Sequence, residues 1–359
     1  MTEFQRPLSL ESYPVPGELA PGEVLVRIQM AGICGTDIHL WLGQLPVPLP
    51  LIMGHETVGA IEAIGGANAI YDWRGNQLRT GDRIGWASGI SCGQCYYCRP
   101  KRQPTRCLSR KAYGISYRAT EAPHLRGGYS DWILLRPETA MFRLPETVPT
   151  ESLIGGGCAL TTALHGLERC PVQLGDTVVV QGAGPVGLAA VAMANASGAA
   201  QIIVVGGPAH RLQMAGTFGA TDLVSLDDYP TAGARRQRVL DLTGGFGADI
   251  VIECVGMPEA VNESLHFCRD GARLLVLGQY ANAGNIEFNP HTITRKQLEI
   301  HGSWGFEPRH VDQAIRLLEN PVWRDRFARQ ITHRYRLEEA NQALETVRTW
   351  QSGKAVLLP

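Results

Sequence analysis

The stretch Thr177-Val-Val-Val-Gln-Gly-Ala-Gly-Pro-Val-Gly-Leu-Ala-Ala-Val-Ala-Met-Ala-Asn-Ala-Ser197 decides the architecture of this chain. Three consecutive valines suit a strand buried on both faces. Gly182-Ala-Gly184-Pro185-Val186-Gly187 follows, and it fits G-x-G-x-x-G. An apolar helical stretch, Val186–Ser197, comes next. The glycines allow a tight turn, approach of the backbone to a pyrophosphate and close packing of helix on strand. The helix N-terminus then offers unpaired N–H groups and a partial positive charge to that pyrophosphate. A dinucleotide cofactor is the expectation.

Further strands are expected on either side of this turn at Gln201–Val205, Asp222–Ser225, Asp249–Cys254, Ala272–Leu277 and Leu298–Ser303. Helices are expected at Arg211–Phe218, Arg235–Leu242 and Glu259–Cys268. Six strands with intervening helices predict a doubly wound parallel sheet, an α/β fold. The first 150 residues read differently, as short strands and loops. Glu23–Met30, Val58–Ile64 and Arg83–Trp86 are strand candidates, Leu45–Leu51 is a proline-rich loop, and Asn68–Thr80 is a polar insertion read as an exposed turn. Residues 309–348 read as helical, with a short apolar tail after Gly353.

The chain has 359 residues, 44% hydrophobic and 19% charged, which suits a folded protein of about two domains. Its net charge is −1 and no basic patch stands out, which argues against a nucleic-acid partner. Thr177–Ala209 carries no charged residue. Its Gly, Ala, Ser and Pro content reads as strand, turn, buried helix and second strand, so no membrane partner is expected. No apolar signal region stands between Met1 and Leu10, and a cytoplasmic location is expected.

Cys92, Cys95, Cys98 and Cys107 crowd into 16 residues, the ligand set of a closed structural zinc site. A second constellation is dispersed over Gly32-Ile-Cys34-Gly-Thr36-Asp37-Ile-His39, Gly54-His55-Glu56 and Gly156-Gly-Cys158. Cys34 and His55 supply a thiolate and an imidazole, and Cys158 is the candidate third ligand of a catalytic zinc, which keeps one position open. As a single residue Cys158 also has a plain reading as a small buried core residue.

These motifs, in this order, resemble the zinc-dependent medium-chain alcohol dehydrogenases, and the likeness covers nearly the whole chain. The resemblance implies a GroES-like, mainly β catalytic domain at 1–159, a Rossmann cofactor domain at 160–302, and a return to the catalytic domain at 303–359. It implies two zinc ions per chain, with Cys34, His55 and Cys158 on the catalytic one. Asp37 matches the carboxylate that orients the histidine ligand, and Glu56 an acid close to the zinc. Thr36 matches the hydroxyl that takes the substrate proton, and His39 the outer end of a proton relay. Thr162 matches a residue behind the nicotinamide, with the backbone near Val255 and Gly278 holding the carboxamide. A homodimer or homotetramer through the cofactor domains is also implied.

Three departures matter. Asn68–Thr80 is longer than the family pattern. Glu151, seven residues before Cys158, keeps open the glutamate ligand that polyol dehydrogenases commonly use. The acid that normally ends the second cofactor-domain strand is replaced by Gly206, followed by Gly207 and Pro208. That loss leaves NAD and NADP both open. Only His210 and Arg211 lie near enough to meet a 2′-phosphate, and the reading leans to NAD.

The expected activity is oxidation of an alcohol to the ketone or aldehyde. Trp41, Leu42, Leu45, Trp304 and Phe306 fall where the family lines its pocket, and such apolar residues favour a secondary or cyclic alcohol over a sugar polyol. The same aromatics could instead pack a domain interface. The alternatives are a polyol or amino-alcohol dehydrogenase on the same scaffold, and a non-catalytic relative that binds zinc and nucleotide.

Overall fold

Thr177–Gln181 is the first strand of a six-stranded parallel sheet in the computed structural model, which describes residues 1–359. Its neighbours in space are Gln201–Gly206 on one side and Ala248–Glu253 on the other. Asp222–Ser225 lies outside the former, and Cys268–Val276 and then Glu299–Gly302 outside the latter. Strand order therefore reverses between Thr177–Gln181 and Ala248–Glu253, the kind of point at which a doubly wound sheet opens a crevice for its ligand. Val179, Ile203, Val251 and Leu274 are wholly buried, as the continuous apolar runs require. The helices Pro185–Ala196, Ala209–Phe218, Ala232–Leu242 and Pro258–Phe267 alternate with the strands. This unit spans Ala159–Gly305.

A second compact unit joins Met1–Cys158 to Phe306–Pro359. Its main sheet has seven strands, with Val24–Ile33 paired to Glu56–Ile64, Trp132–Leu135 and Lys354–Leu358. The apolar tail is thus an interior strand, one in from the edge of a sheet. Its neighbour Ile331–Arg336 corrects the helical reading of 309–348. Residues Ile331-Thr-His-Arg-Tyr-Arg336 alternate in burial, and the strand separates the helices Pro308–Leu318 and Pro321–Ala328 from Ala340–Arg348.

The insertion Asn68–Thr80 is also more ordered than a turn. Ile70–Tyr71 pairs with Gln77–Leu78 in a short hairpin. Its Asp72 carboxylate is buried and accepts from the N–H groups of Arg74, Asn76 and Arg143, while Leu78 reaches the core. A buried carboxylate satisfied by backbone donors holds such a loop in one conformation. No helix is long and apolar enough to cross a membrane.

Candidate active site and metal centres

The four-cysteine segment lies between two short paired strands, Gly89–Ile90 and Lys111–Ala112. The turn Pro104–Arg106 brings Cys107 back toward Cys92. Cys95 and Cys98 Sγ lie 3.5 Å apart, Cys107 and Cys92 Sγ 3.5 Å, and Cys92 and Cys98 Sγ 4.0 Å. A disulfide needs about 2.05 Å. Zinc held by four sulfurs at about 2.3 Å defines a tetrahedron with edges of about 3.8 Å, which these separations bracket. The Cys92 N–H donates to Cys107 Sγ at 3.3 Å. Backbone N–H groups of Leu108 and Cys98 also favour the thiolate of Cys95 and draw its pKa down to about 6. The donor set fits a structural zinc.

The second cluster starts from one register. Gly32 pairs with Glu56 across Val24–Ile33 and Glu56–Ile64, which brings the segments carrying Cys34 and His55 side by side. Cys34 caps the helix Gly35–Trp41, and its N–H donates to Asp37 Oδ2 at 2.9 Å. The other carboxylate oxygen, Oδ1, lies 3.4 Å from His55 Nδ1. Asp37 is wholly buried, and a carboxylate so placed fixes the tautomer and ring orientation of a metal-binding histidine. Burial opposes a charge on His55, but Asp37 and Cys34 outweigh it and raise its pKa. Ligation uses the neutral ring.

Cys158 arrives from a long helical stretch, Thr150–Arg169, broken at Gly157 with φ 48° and ψ −148°. The break turns the Cys158 N–H onto Glu56 Oε1 at 2.7 Å and leaves its Sγ 3.2 Å from Cys34 Sγ. Ligand atoms of Cys34, His55, Glu56 and Cys158 all lie within 4.8 Å of one another. Glu151 is not among them. Two thiols and an imidazole, gathered without a disulfide, form the donor set of a zinc site with an open position.

Thr36 and His39 are half-buried on the helix that begins beside Cys34 and, three residues apart, share one face of it. His39 Nδ1 meets Gln44 Oε1 at 2.5 Å, a partner the sequence reading missed. Trp41 and Leu45 pack against Leu40, Leu51 and Met53, and the Trp41 indole N–H donates to the Arg6 carbonyl. Phe306 packs on a core that includes Ile154 and Ile315.

Gly182 in the other unit has φ 107°, and a Cβ on Gly187 would lie 1.9 Å from the Gly182 carbonyl oxygen. Gly184 precedes the helix and Pro185 is its first residue. Val186 follows in the first turn. A Cβ on Gly206 would press on the Ala183 backbone nitrogen at 3.0 Å. Arg211 is buried on Ala209–Phe218, and burial lowers its pKa. The Val255 N–H donates to Glu253 Oε1, the Gly278 N–H donates to the Glu253 carbonyl, and Thr162 is half-buried on its helix. Trp304 stacks on Tyr280 with centroids 5.3 Å apart and planes 5° from parallel.

Lys354 went unread in the sequence. It is buried at the head of the C-terminal strand and ion-paired with Glu56 Oε2. Burial works against its charge, yet Glu56, Cys34 and Cys158 raise its pKa. Its only signal was a lone lysine opening an apolar run.

Residues 20–146 match the family described as alcohol dehydrogenase GroES-like domain, and residues 185–320 the family described as zinc-binding dehydrogenase. The chain is 37% identical to a 5-exo-hydroxycamphor dehydrogenase of Pseudomonas putida, over 97% of this chain and 95% of that protein. An alcohol dehydrogenase of Thermotoga maritima superposes with a TM-score of 0.94 at 34% identity, covering 100% of this chain and 97% of that one. A zinc-binding dehydrogenase of Sinorhizobium meliloti bound to NADP superposes with a TM-score of 0.81 at 28% identity, covering 97% and 94%. With a GroES-like unit, a six-stranded parallel sheet, two candidate zinc sites and these relatives, the chain belongs to the zinc-binding medium-chain alcohol dehydrogenases, oxidoreductases that act on CH–OH groups with NAD(P).

Proposed function

We propose that this enzyme oxidises a secondary or cyclic alcohol to its ketone, with NAD as the acceptor. The observation that carries the reading is the half-buried Cys34–His55–Cys158 cluster with the buried Glu56 tied off by Lys354 and the Cys158 N–H. Cys34, His55 and Cys158 would hold zinc. When bound, zinc supplies a Lewis acid that makes an alcohol hydroxyl more acidic, and the nicotinamide supplies the hydride acceptor. Asp37 holds the His55 ring in one orientation. Thr36 would accept the alcohol proton at its hydroxyl oxygen while giving up its own, and His39, steadied by Gln44, would release a proton to solvent at the outer end of the relay.

In the cofactor domain, 160–302 on this reading, Gly182–Gly187 takes the pyrophosphate. The backbone at Val255 and Gly278 takes the carboxamide, and Thr162 stands behind the nicotinamide. NAD is favoured over NADP by what lies next to Gly206, not by the glycine itself. The Leu226 N–H donates to the Gly206 carbonyl, which brings the exposed acids Asp227 and Asp228 to that strand end. Carboxylates there repel a 2′-phosphate.

Apolar residues at Leu45, Trp304 and Phe306 favour a hydrocarbon-rich substrate, as does the relative named for hydroxycamphor, a cyclic alcohol. A homodimer or homotetramer through the cofactor domains is part of the proposal, and sedimentation or size-exclusion chromatography tests it. The functional test is a panel of cyclic, linear secondary and polyol substrates with NAD and NADP, on wild type and His55→Ala. Cyclic alcohols should lead in kcat/KM and His55→Ala should be inactive. A preference for sugar polyols would overturn the substrate assignment.

A further inference from the structure

The buried pair of Glu56 and Lys354 joins residues 298 positions apart. Each side chain is about 1% exposed. The Glu56 carboxylate lies in the same cluster as the three candidate zinc ligands, so it has the chemistry and the position to be a fourth. A fourth protein ligand would close the position that an alcohol needs. Both its oxygens are engaged elsewhere: Oε1 accepts from the Cys158 N–H at 2.7 Å, and Oε2 is paired with Lys354 Nζ.

The backbone is shaped around this arrangement. A Cβ on Gly32 would lie 2.6 Å from Glu56 Oε2 and 3.1 Å from Lys354 Cε. A Cβ on Gly157, which already has positive φ, would lie 2.4 Å from Glu56 Oε1 and 2.9 Å from Lys354 Nζ. Two glycines on separate elements thus leave room for one carboxylate and its cation. A buried ion pair is weak evidence for stability, since well-packed apolar residues often do as well. Its retention here asks for another purpose.

We infer that Lys354 is a positioning residue that holds the Glu56 carboxylate away from the metal and so keeps the fourth coordination position of the Cys34–His55–Cys158 site open to substrate. The inference rests on that site's being the catalytic zinc site. Without the cation, Glu56 loses the partner of one oxygen, and the nearest positive charge left to it is the metal. The site then becomes four-coordinate, holding its metal more firmly and admitting the alcohol poorly.

The test uses the holoenzyme and its cobalt-substituted form, with imidazole as the probe ligand of the open position. In wild type, imidazole should change the visible cobalt spectrum. In Lys354→Met the spectrum should differ before imidazole is added, and imidazole should bind at least tenfold more weakly. Metal loss to a chelator should be slower, and kcat should fall about 10- to 100-fold, the usual range for outer-shell changes. Lys354→Arg should restore much of the response. Lys354→Met/Glu56→Gln, with no carboxylate left to ligate, should regain imidazole binding close to wild type. If Lys354→Met does not fold, Lys354→Gln replaces it with the same expectations.

Unchanged imidazole affinity and unchanged chelation rate in the charge-removing variant would overturn the role of Lys354. Retention of both metal equivalents by His55→Ala would overturn the metal-site reading itself, so the two failures are told apart.

Discussion

Cys34 Sγ and Cys158 Sγ lie 3.2 Å apart although 124 residues separate them. The contact depends on the break at Gly157, which turns Cys158 toward the sheet end where Cys34 stands. Glu151 lies in the first turn of the same helical stretch and takes no part in the cluster. Cys158→Ser should therefore drop zinc from two equivalents per chain to about one and abolish turnover, whereas Glu151→Gln should keep both. Metal analysis after dialysis against a weak chelator checks this. Loss of zinc in Glu151→Gln would return the glutamate to the ligand set.

Asp37 touches no substrate in the proposed mechanism, so its variant tests orientation alone. Asp37→Asn keeps the shape but weakens the hold on His55 Nδ1. Metal affinity and kcat/KM should both fall about 10- to 100-fold. Chelator competition and steady-state kinetics give the two numbers, and an Asn variant indistinguishable from wild type would remove Asp37 from the site.

The four-cysteine loop predicts a stability effect instead. Cys95→Ser removes one corner of the sulfur tetrahedron. Losing a structural metal belongs among the largest single-residue effects, about 4 kcal/mol or more, and Tm should fall by about 10 °C. Thermal unfolding of the zinc-loaded forms checks this. Residual activity well below the melting transition should stay within a fewfold of wild type. Immediate loss of activity with an unchanged Tm would mean that this zinc serves chemistry.

Gly206→Asp tests the cofactor assignment. The added carboxylate should lower the NADP to NAD ratio of kcat/KM by at least tenfold, about 1.4 kcal/mol. The contact with the Ala183 backbone nitrogen means that NAD use will also drop somewhat, because the phosphate turn must shift to admit a Cβ. Arg211→Ala should leave NAD kinetics nearly unchanged. A wild-type preference for NADP above tenfold would assign Arg211 or His210 to a phosphate site.

Trp304 stacks on Tyr280 and places a flat apolar surface in the cofactor unit. Trp304→Ala should lower kcat/KM for a bulky cyclic alcohol about 10- to 200-fold and change ethanol oxidation far less. Kinetics with the two substrates measure the difference. Equal losses would mean that the ring supports the fold and not the substrate.

The parallel sheet was legible in the linear order because its signals are local. Val178-Val-Val180, the glycine turn and the apolar helix after it are adjacent in the chain, and their periodicity and backbone needs declare themselves over a few residues. The zinc loop was legible for the same reason, with four thiols inside 16 residues. Ile331–Arg336 was not, since its strand character depends on a parallel neighbour, Lys354–Leu358, reached only after an intervening helix. Nor was the hairpin in Asn68–Thr80, whose order comes from Asp72 accepting a hydrogen bond from the distant Arg143 N–H.

The same division runs through the site. The motifs marked Cys34, His55 and the four-cysteine loop, and the family resemblance marked Asp37. The placing of Cys158 over Glu151 within the cluster, the partnership of Glu56 with Lys354, and the meeting of His39 with Gln44 required the folded chain. Ligation and charge pairing act over a few ångströms in space. Residues hundreds of positions apart become neighbours only when strand register and one backbone break at Gly157 bring them together.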